Sequence, residues 1–369
     1  EASIGIASPE DRAEYAAVAS TPAWAAPPLG SYRLFIDIYD NADFYDSEPN
    51  GDKQFPDRTV LSDIVRPVAT VLWDEHFRFQ AGAIAQRTFG ASPDFSSIDP
   101  WVQLLWRPVR SVDVILGDLN VPHDYLPALV YAPNYFLIDN HETGMQLFHH
   151  REHWSDDLFF NERQFETPEL NEKFDFGYTH HNDWKWLDFT YQAHWTHTGG
   201  DNFHHTYNTI NDSAQTAGIG FHERLLSHGL FGGSYNYLHS HYRTDTNTAS
   251  LNEQINGDGH FVQGYIRWSR LKLIFGYWHG SNFSHDGGDP YFTVDNMRQG
   301  IIHWDILMSS DFNLFGEITG YYIGNNSQHI DHYVKSTFLL EAAWHFGLPS
   351  KGWGGTPGEN PPERWDTGL

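Results

Sequence analysis

The chain has 369 residues, 48 acids against 22 Lys and Arg, a formal charge of -26 and no cysteine. That balance leaves no basic field for a phosphate backbone, and the missing thiols exclude disulfide scaffolds, thiolate zinc sites, iron-sulfur clusters and CxxCH haem attachment. An aromatic share of 16% excludes an acidic disordered chain, and no apolar stretch reaches the roughly 18 residues that a membrane-spanning helix requires.

Residues 1-31 differ from the remainder of the chain. Ser8-Pro9-Glu10-Asp11 has the form of a helix start, with Ser at the cap and Pro at the first position. The Ala-rich stretch to Ser20 predicts a short helix or plug, which Pro22, Pro27, Pro28 and Gly30 end. Glu1-Ala2-Ser3 has neither a basic nor an apolar leader, so a secreted chain is expected here in mature form.

From Tyr32 onward the period is two. After a strand at Tyr32 to Tyr39, Phe77, Phe79, Ala81, Ala83 and Ala85 alternate with Arg78, Gln80, Gly82, Ile84 and Gln86. Leu187, Phe189, Tyr191, Ala193 and Trp195 alternate with Asp188, Thr190, Gln192 and His194. Ile302, Trp304, Ile306 and Met308 oppose His303, Asp305 and Leu307, and Ile318 and Tyr322 oppose Glu317 and Thr319. In the last strand Phe338, Leu340, Ala342, Trp344 and Phe346 oppose Leu339, Glu341 and His345. These runs are long for a globular strand but match the roughly 9 to 11 residues of a tilted strand crossing a bilayer. Charged residues in mid-strand suit water on one face better than a dry core.

Seven tight joints, at 73-76, 107-110, 150-155, 180-183, 226-229, 268-270 and 309-311, alternate with long Gly/Asn/Asp/Pro-rich stretches such as 40-58, 118-141, 197-213, 243-258 and 280-296. Seven hairpins plus one strand at either end predict about 16 strands. The expected fold is all-β, a closed antiparallel transmembrane β-barrel with short periplasmic turns and long extracellular loops. The pattern over 32-346 resembles Gram-negative outer-membrane β-barrel proteins of the porin-like size class. The face Phe338, Leu340, Trp344 and Phe346 resembles the aromatic-ended assembly signal of that class, although residues 347-369 lie beyond it here.

The resemblance implies a periplasmic segment 1-31, a barrel 32-346 and a Pro/Gly-rich periplasmic tail 347-369. It also implies contact with outer-membrane lipid. Arg78, Gln80, Asp188, His194, Asp305, Glu317 and Glu341 are expected to line an aqueous lumen. Their acidic bias predicts a porin-like channel preferring cations among small solutes or ions. One alternative is a barrel that sheaths or exports a partner, such as a periplasmic electron carrier or a secreted polymer, docked through the terminal segments. Another is a soluble aromatic-rich protein that binds or cleaves carbohydrate.

His149-His150-Arg151-Glu152-His153, His180-His181, His204-His205 and His239-Ser240-His241 invite a metal, but rings at strand ends also suit the lipid-water interface, and the metal assignment stays open. Ser284 to Pro290 and Asp40 to Asp57 are dense in carboxylates and are expected to be solvated outer loops, with calcium or lipopolysaccharide-bridging cations as the alternative. No GxSxG, P-loop, GxGxxG or HExxH is present, so neither an enzyme nor a cofactor is expected, and an outer-membrane enzyme with a specific Ser or His is the third alternative.

Overall fold

A computed structural model describes residues 32-49, 58-73, 76-89, 97-120, 123, 125-130, 141-167, 169-199, 209-225, 229-245, 252-308, 312-324 and 330-347. The expected segment 1-31 lies outside them, as does the tail apart from Gly347. The strands are β1 (Tyr32–Pro49), β2 (Arg58–Trp73), β3 (Phe77–Thr88), β4 (Ser97–Val109), β5 (Val112–Asp118) and β6 (Thr143–Arg151). They continue as β7 (Trp154–Gln164), β8 (Glu172–Trp184), β9 (Leu187–Gly199), β10 (Thr209–Leu225) and β11 (Gly229–Asp245). Last come β12 (Glu253–Trp268), β13 (Leu271–Ser281), β14 (Asn296–Met308), β15 (Phe312–Gly324) and β16 (Ile330–Gly347).

Every strand pairs antiparallel with its neighbours in sequence, and β1 also pairs with β16, from Phe35 opposite Gly347 to Pro49 opposite Tyr333. The ladder therefore returns to its start, and strand edges, each a row of unpaired N–H and C=O groups, find partners. Several boundaries differ from expectation, the expected loops 197-213 and 243-258 being shortened by β10 from Thr209 and β12 from Glu253. β1 continues through the acidic stretch to Pro49, because pairing with both β2 and β16 outweighs the poor strand propensity of Asp and Asn. His180 to Asp183 do not form a turn but continue β8. The reversal comes at Lys185-Trp186, where Trp184 pairs with Leu187 and Lys185 takes a left-handed φ of 61°.

The two faces separate as alternation predicts. Phe77, Phe79, Trp106, Phe189, Trp195, Phe275, Ile302 and Trp304 are exposed, forming an outward apolar surface. Arg78, Gln80, Gln103, Asp157, Asp188, Gln192, His194 and Glu317 are buried on the opposite face.

The interior is not only polar. The chain after β5 turns inward and buries Leu119, Tyr125, Leu126, Leu129 and Val130. The connection between β13 and β14 does the same with Phe283, Tyr291, Phe292 and Val294, the middle pair in a short 3-10 helix, Pro290–Thr293, capped by Asp289. Both join one apolar cluster with Leu105, Ile115, Phe159, Leu238, Phe261, Trp278, Met297 and Tyr321. Trp278 anchors it, packing edge-on against Phe283 and Phe292 while its indole N–H donates to the Val294 carbonyl at 2.8 Å. The expected solvated loop 284-290 is thus in large part an internal element: His285, Gly288 and Asp289 are buried, and Asp286 alone of its carboxylates stays exposed. The gain from burying Phe283, Tyr291 and Phe292 outweighs the acidic composition between them.

Candidate functional site

The inner-face residues singled out by alternation do not converge on one place. On β3, Arg78 donates to Gln103 Oε1 at 2.7 Å, and Gln80 donates at 3.0 Å to Thr70, whose hydroxyl donates to Asp37. On β9, Asp188 accepts from His222 Nδ1 at 3.1 Å. His194, near the other end of β9, lies within the apolar cluster with its Nδ1 2.8 Å from His285 Nε2. Asp305 and Glu317 do meet, through His303, at 3.0 Å from Nε2 and 3.4 Å from Nδ1. Glu341 stands on β16 opposite Asn41 and Asn313; its side chain, with those of Phe338, Leu340, Trp344 and Phe346, lies outside the described residues.

Buried charge on this face comes mostly as matched pairs. Arg107 forks onto Asp113 with two hydrogen bonds of 2.6 and 2.7 Å, and Arg66 lies between the rings of Tyr39 and Trp101. His123, in the inward segment after β5, is clamped on both nitrogens: Nδ1 on Asp157 at 2.6 Å and Nε2 on Glu142 at 2.9 Å. Burial pulls its pKa down, but the two carboxylates overcome that and hold it at about 10. Phe159 stacks on the ring at 3.6 Å. With both nitrogens donating, this imidazolium has no lone pair for proton abstraction; it ties the inward segment to β7.

The exposed face carries a different set, in which the sequence marks His239 and His241 as possible metal ligands but not Tyr237 or Asp258. Asp258 of β12 accepts from Tyr237 Oη at 2.5 Å and from His239 Nδ1 at 3.0 Å. The expected His239-Ser240-His241 pair shares this face: Asn256 accepts from His241 Nδ1 at 2.7 Å. Asn211 and Asn296 likewise accept from His197 and His279 at 2.9 Å each. With a side-chain oxygen on Nδ1, His239, His241 and His279 keep Nε2 as the second ring nitrogen that can act as a base, whereas His197 Nε2 lies 3.6 Å from Glu172 Oε1. These groups lie next to the long connections, above the exposed Val262, Ile266, Phe275 and Ile302. That is the level at which an apolar belt gives way to headgroups. The readable signal was the period-two run of His239, His241, Asp258 and His260.

No curated protein matches the chain. Among solved structures, the anion-selective porin from Comamonas acidovorans is 10% identical over 85% of this chain and 99% of its own, with a TM-score of 0.50. The outer membrane protein OprD from Pseudomonas aeruginosa is 9% identical over 88% and 97%, also at 0.50. Salmonella typhi OmpF, solved in complex with daunomycin, is 8% identical over 83% and 97%, again at 0.50. At these identities the likeness is one of fold: this is a Gram-negative outer-membrane β-barrel, whose exposed apolar belt belongs in the outer membrane. A family model described as Lipid A 3'-O-deacylase-type matches residues 30–313. It describes an enzyme family and overturns the expectation of a protein without catalytic activity; that expectation rested on missing motifs, and a catalytic group set in strands need not carry one. Since the match runs from just before β1 into β15, the chain belongs to the lipid A 3'-O-deacylase-type family.

Proposed function

We propose that the chain is an outer-membrane hydrolase that removes an ester-linked acyl chain from a lipid A-type glycolipid at the long-loop end of the barrel's outer face. The observation that carries this reading is the Tyr237–Asp258–His239 group. Asp258 orients the His239 ring and offsets the charge it gains, while Tyr237 holds the carboxylate in place. His239 Nε2 takes a proton from water as the water oxygen bonds to the ester carbonyl. The tetrahedral oxyanion then collapses, the carbonyl re-forms, and the proton passes to the departing sugar alkoxide. A substrate whose acyl chains lie in the membrane and whose sugar lies at its surface meets this group without entering the barrel.

Purified protein in mixed micelles with lipid A should yield product lighter by one acyl chain in mass spectra. His239→Gln should slow that release by about 100-fold or more while the barrel stays folded. Absence of release by the wild type, or undiminished release by the variant, overturns the assignment.

A channel with a cation-preferring lumen is the second reading, favoured by inner-face carboxylates such as Asp188, Asp212 and Glu317. Planar-bilayer recordings separate the two, since an interior filled by the inward segments should not conduct.

A further inference from the structure

We propose that His181, Asp183 and Asp188 form a divalent transition-metal site, suited to zinc, at the short-turn end of β8 and β9. The tight reversal at Lys185-Trp186 places Asp183 and Asp188 directly across from each other. His181, two residues before Asp183, shares its face of the strand. One ring nitrogen of His181 and one oxygen from each carboxylate lie within 4.8 Å of one another. His181 Nε2 is 2.6 Å from Asp183 Oδ1. His222 of β10 borders the group through Asp188, its Nδ1 lying 3.1 Å from Asp188 Oδ2, outside the three mutually close donors. Its position is fixed by the backbone, because the His222 N–H donates to the Trp186 carbonyl at 3.0 Å.

The donor chemistry selects the ion. Two carboxylates supply the charge that a divalent cation neutralises, and the His181 imidazole favours zinc over magnesium or calcium, which prefer all-oxygen shells. His181 and Asp188 expose only 9% and 8% of their side chains, so the ion would be held against a partly dehydrated wall. The other His–carboxylate groups lack this convergence. At His123 the carboxylates sit on opposite ring nitrogens, and at His303 likewise, so each ring is itself the bridging cation. At His181 both carboxylates come to one cluster, and zinc binding should draw the donors to about 2.0–2.2 Å from the ion.

The test uses the full chain in detergent, stripped with chelator and titrated calorimetrically with Zn2+, Mg2+ and Ca2+ in turn. A parallel titration with Co2+ follows its visible absorption, which is intense only for low-coordinate sites. The wild type should bind one Zn2+ tightly, show the Co2+ band, and ignore Mg2+ and Ca2+. Asp188→Asn and His181→Gln should each weaken Zn2+ binding by at least about 100-fold and abolish the band. Asp183→Asn, at the most exposed of the three positions, provides the check should either buried variant fail to fold. With 23 histidines in the chain, weak binding elsewhere is expected in every variant. Equal Zn2+ affinity in wild type and variants, a surviving Co2+ band, or equal competition by Mg2+ or Ca2+ overturns the site.

Discussion

Replacing His123 with Gln tests whether the inward segment after β5 is held by charge. The imidazole is buried between Asp157 and Glu142 and keeps its proton to about pH 10, against an ordinary value of 6.5. At about 1.4 kcal/mol for each pH unit between those values, the proton stabilises the fold by up to about 5 kcal/mol. The sign is set by the direction of the shift. A folded-state value raised above the unfolded one gives stability that is fully present below pH 6.5 and lost as pH rises through about 10. His123→Gln also leaves two buried carboxylates without their cation, a cost of about 3–5 kcal/mol by analogy with other broken buried pairs. Thermal or denaturant unfolding in detergent, run from pH 6 to 11, reads both effects. The gap between wild type and variant should be widest near pH 6.5 and should shrink steadily toward pH 10. A gap that is absent, or constant across that range, would refute the charge clamp.

Trp278→Ala should lower stability by about 3–5 kcal/mol in the same unfolding assay, since the side chain is fully buried at the centre of the interior cluster. Gly259→Val should be comparably damaging, because even a Cβ at that position falls 1.9 Å from the Trp278 ring. Leu126→Asp combined with Leu129→Asp should release the inward segment, both side chains being almost wholly buried, and should raise single-channel conductance in planar bilayers above the wild-type level. Unchanged conductance with the segment demonstrably loosened would show that the two inward connections do not obstruct the barrel.

The strand pattern was legible because alternation is written into each strand one residue at a time. Phe77 and Phe79 face out and Arg78 and Gln80 face in, as their chemistry requires at a lipid boundary. The β8–β9 turn was misread because Asn182 and Asp183 have turn-forming side chains, while the actual reversal uses Lys185, a residue with no turn preference, at positive φ. The inward segments were illegible for a different reason. Leu119, Leu126 and Leu129, and likewise Phe283 and Phe292, are scattered among Pro, Gly and Asp without a period, so nothing local separates a chain folded into the barrel from one in water. The candidate catalytic group left only the spacing of His239, His241, Asp258 and His260. Asp258 comes opposite His239 through a cross-strand register that no local motif encodes.

A filled interior changes where chemistry can happen. In an open barrel the inner face meets solutes, and its charges would select among them. Here Trp278, Phe292, Leu129 and Phe159 occupy that space, and charged groups at that level are neutralised in place, as His123 is by Asp157 and Glu142. Histidines on the exposed face instead pair through Nδ1 with side-chain oxygens near both rims, His239, His241 and His279 with Asp258, Asn256 and Asn296, and His149 and His180 with Asp156. A carboxylate on that face is costly within hydrocarbon but cheap among headgroups, so Asp258 marks the depth of the membrane surface. The same placement puts the base at the height where a glycolipid's ester carbonyls lie. The reaction class of the family and the position of the Tyr237–Asp258–His239 group at the long-loop end thus share one requirement, a polar group held at the edge of the apolar belt.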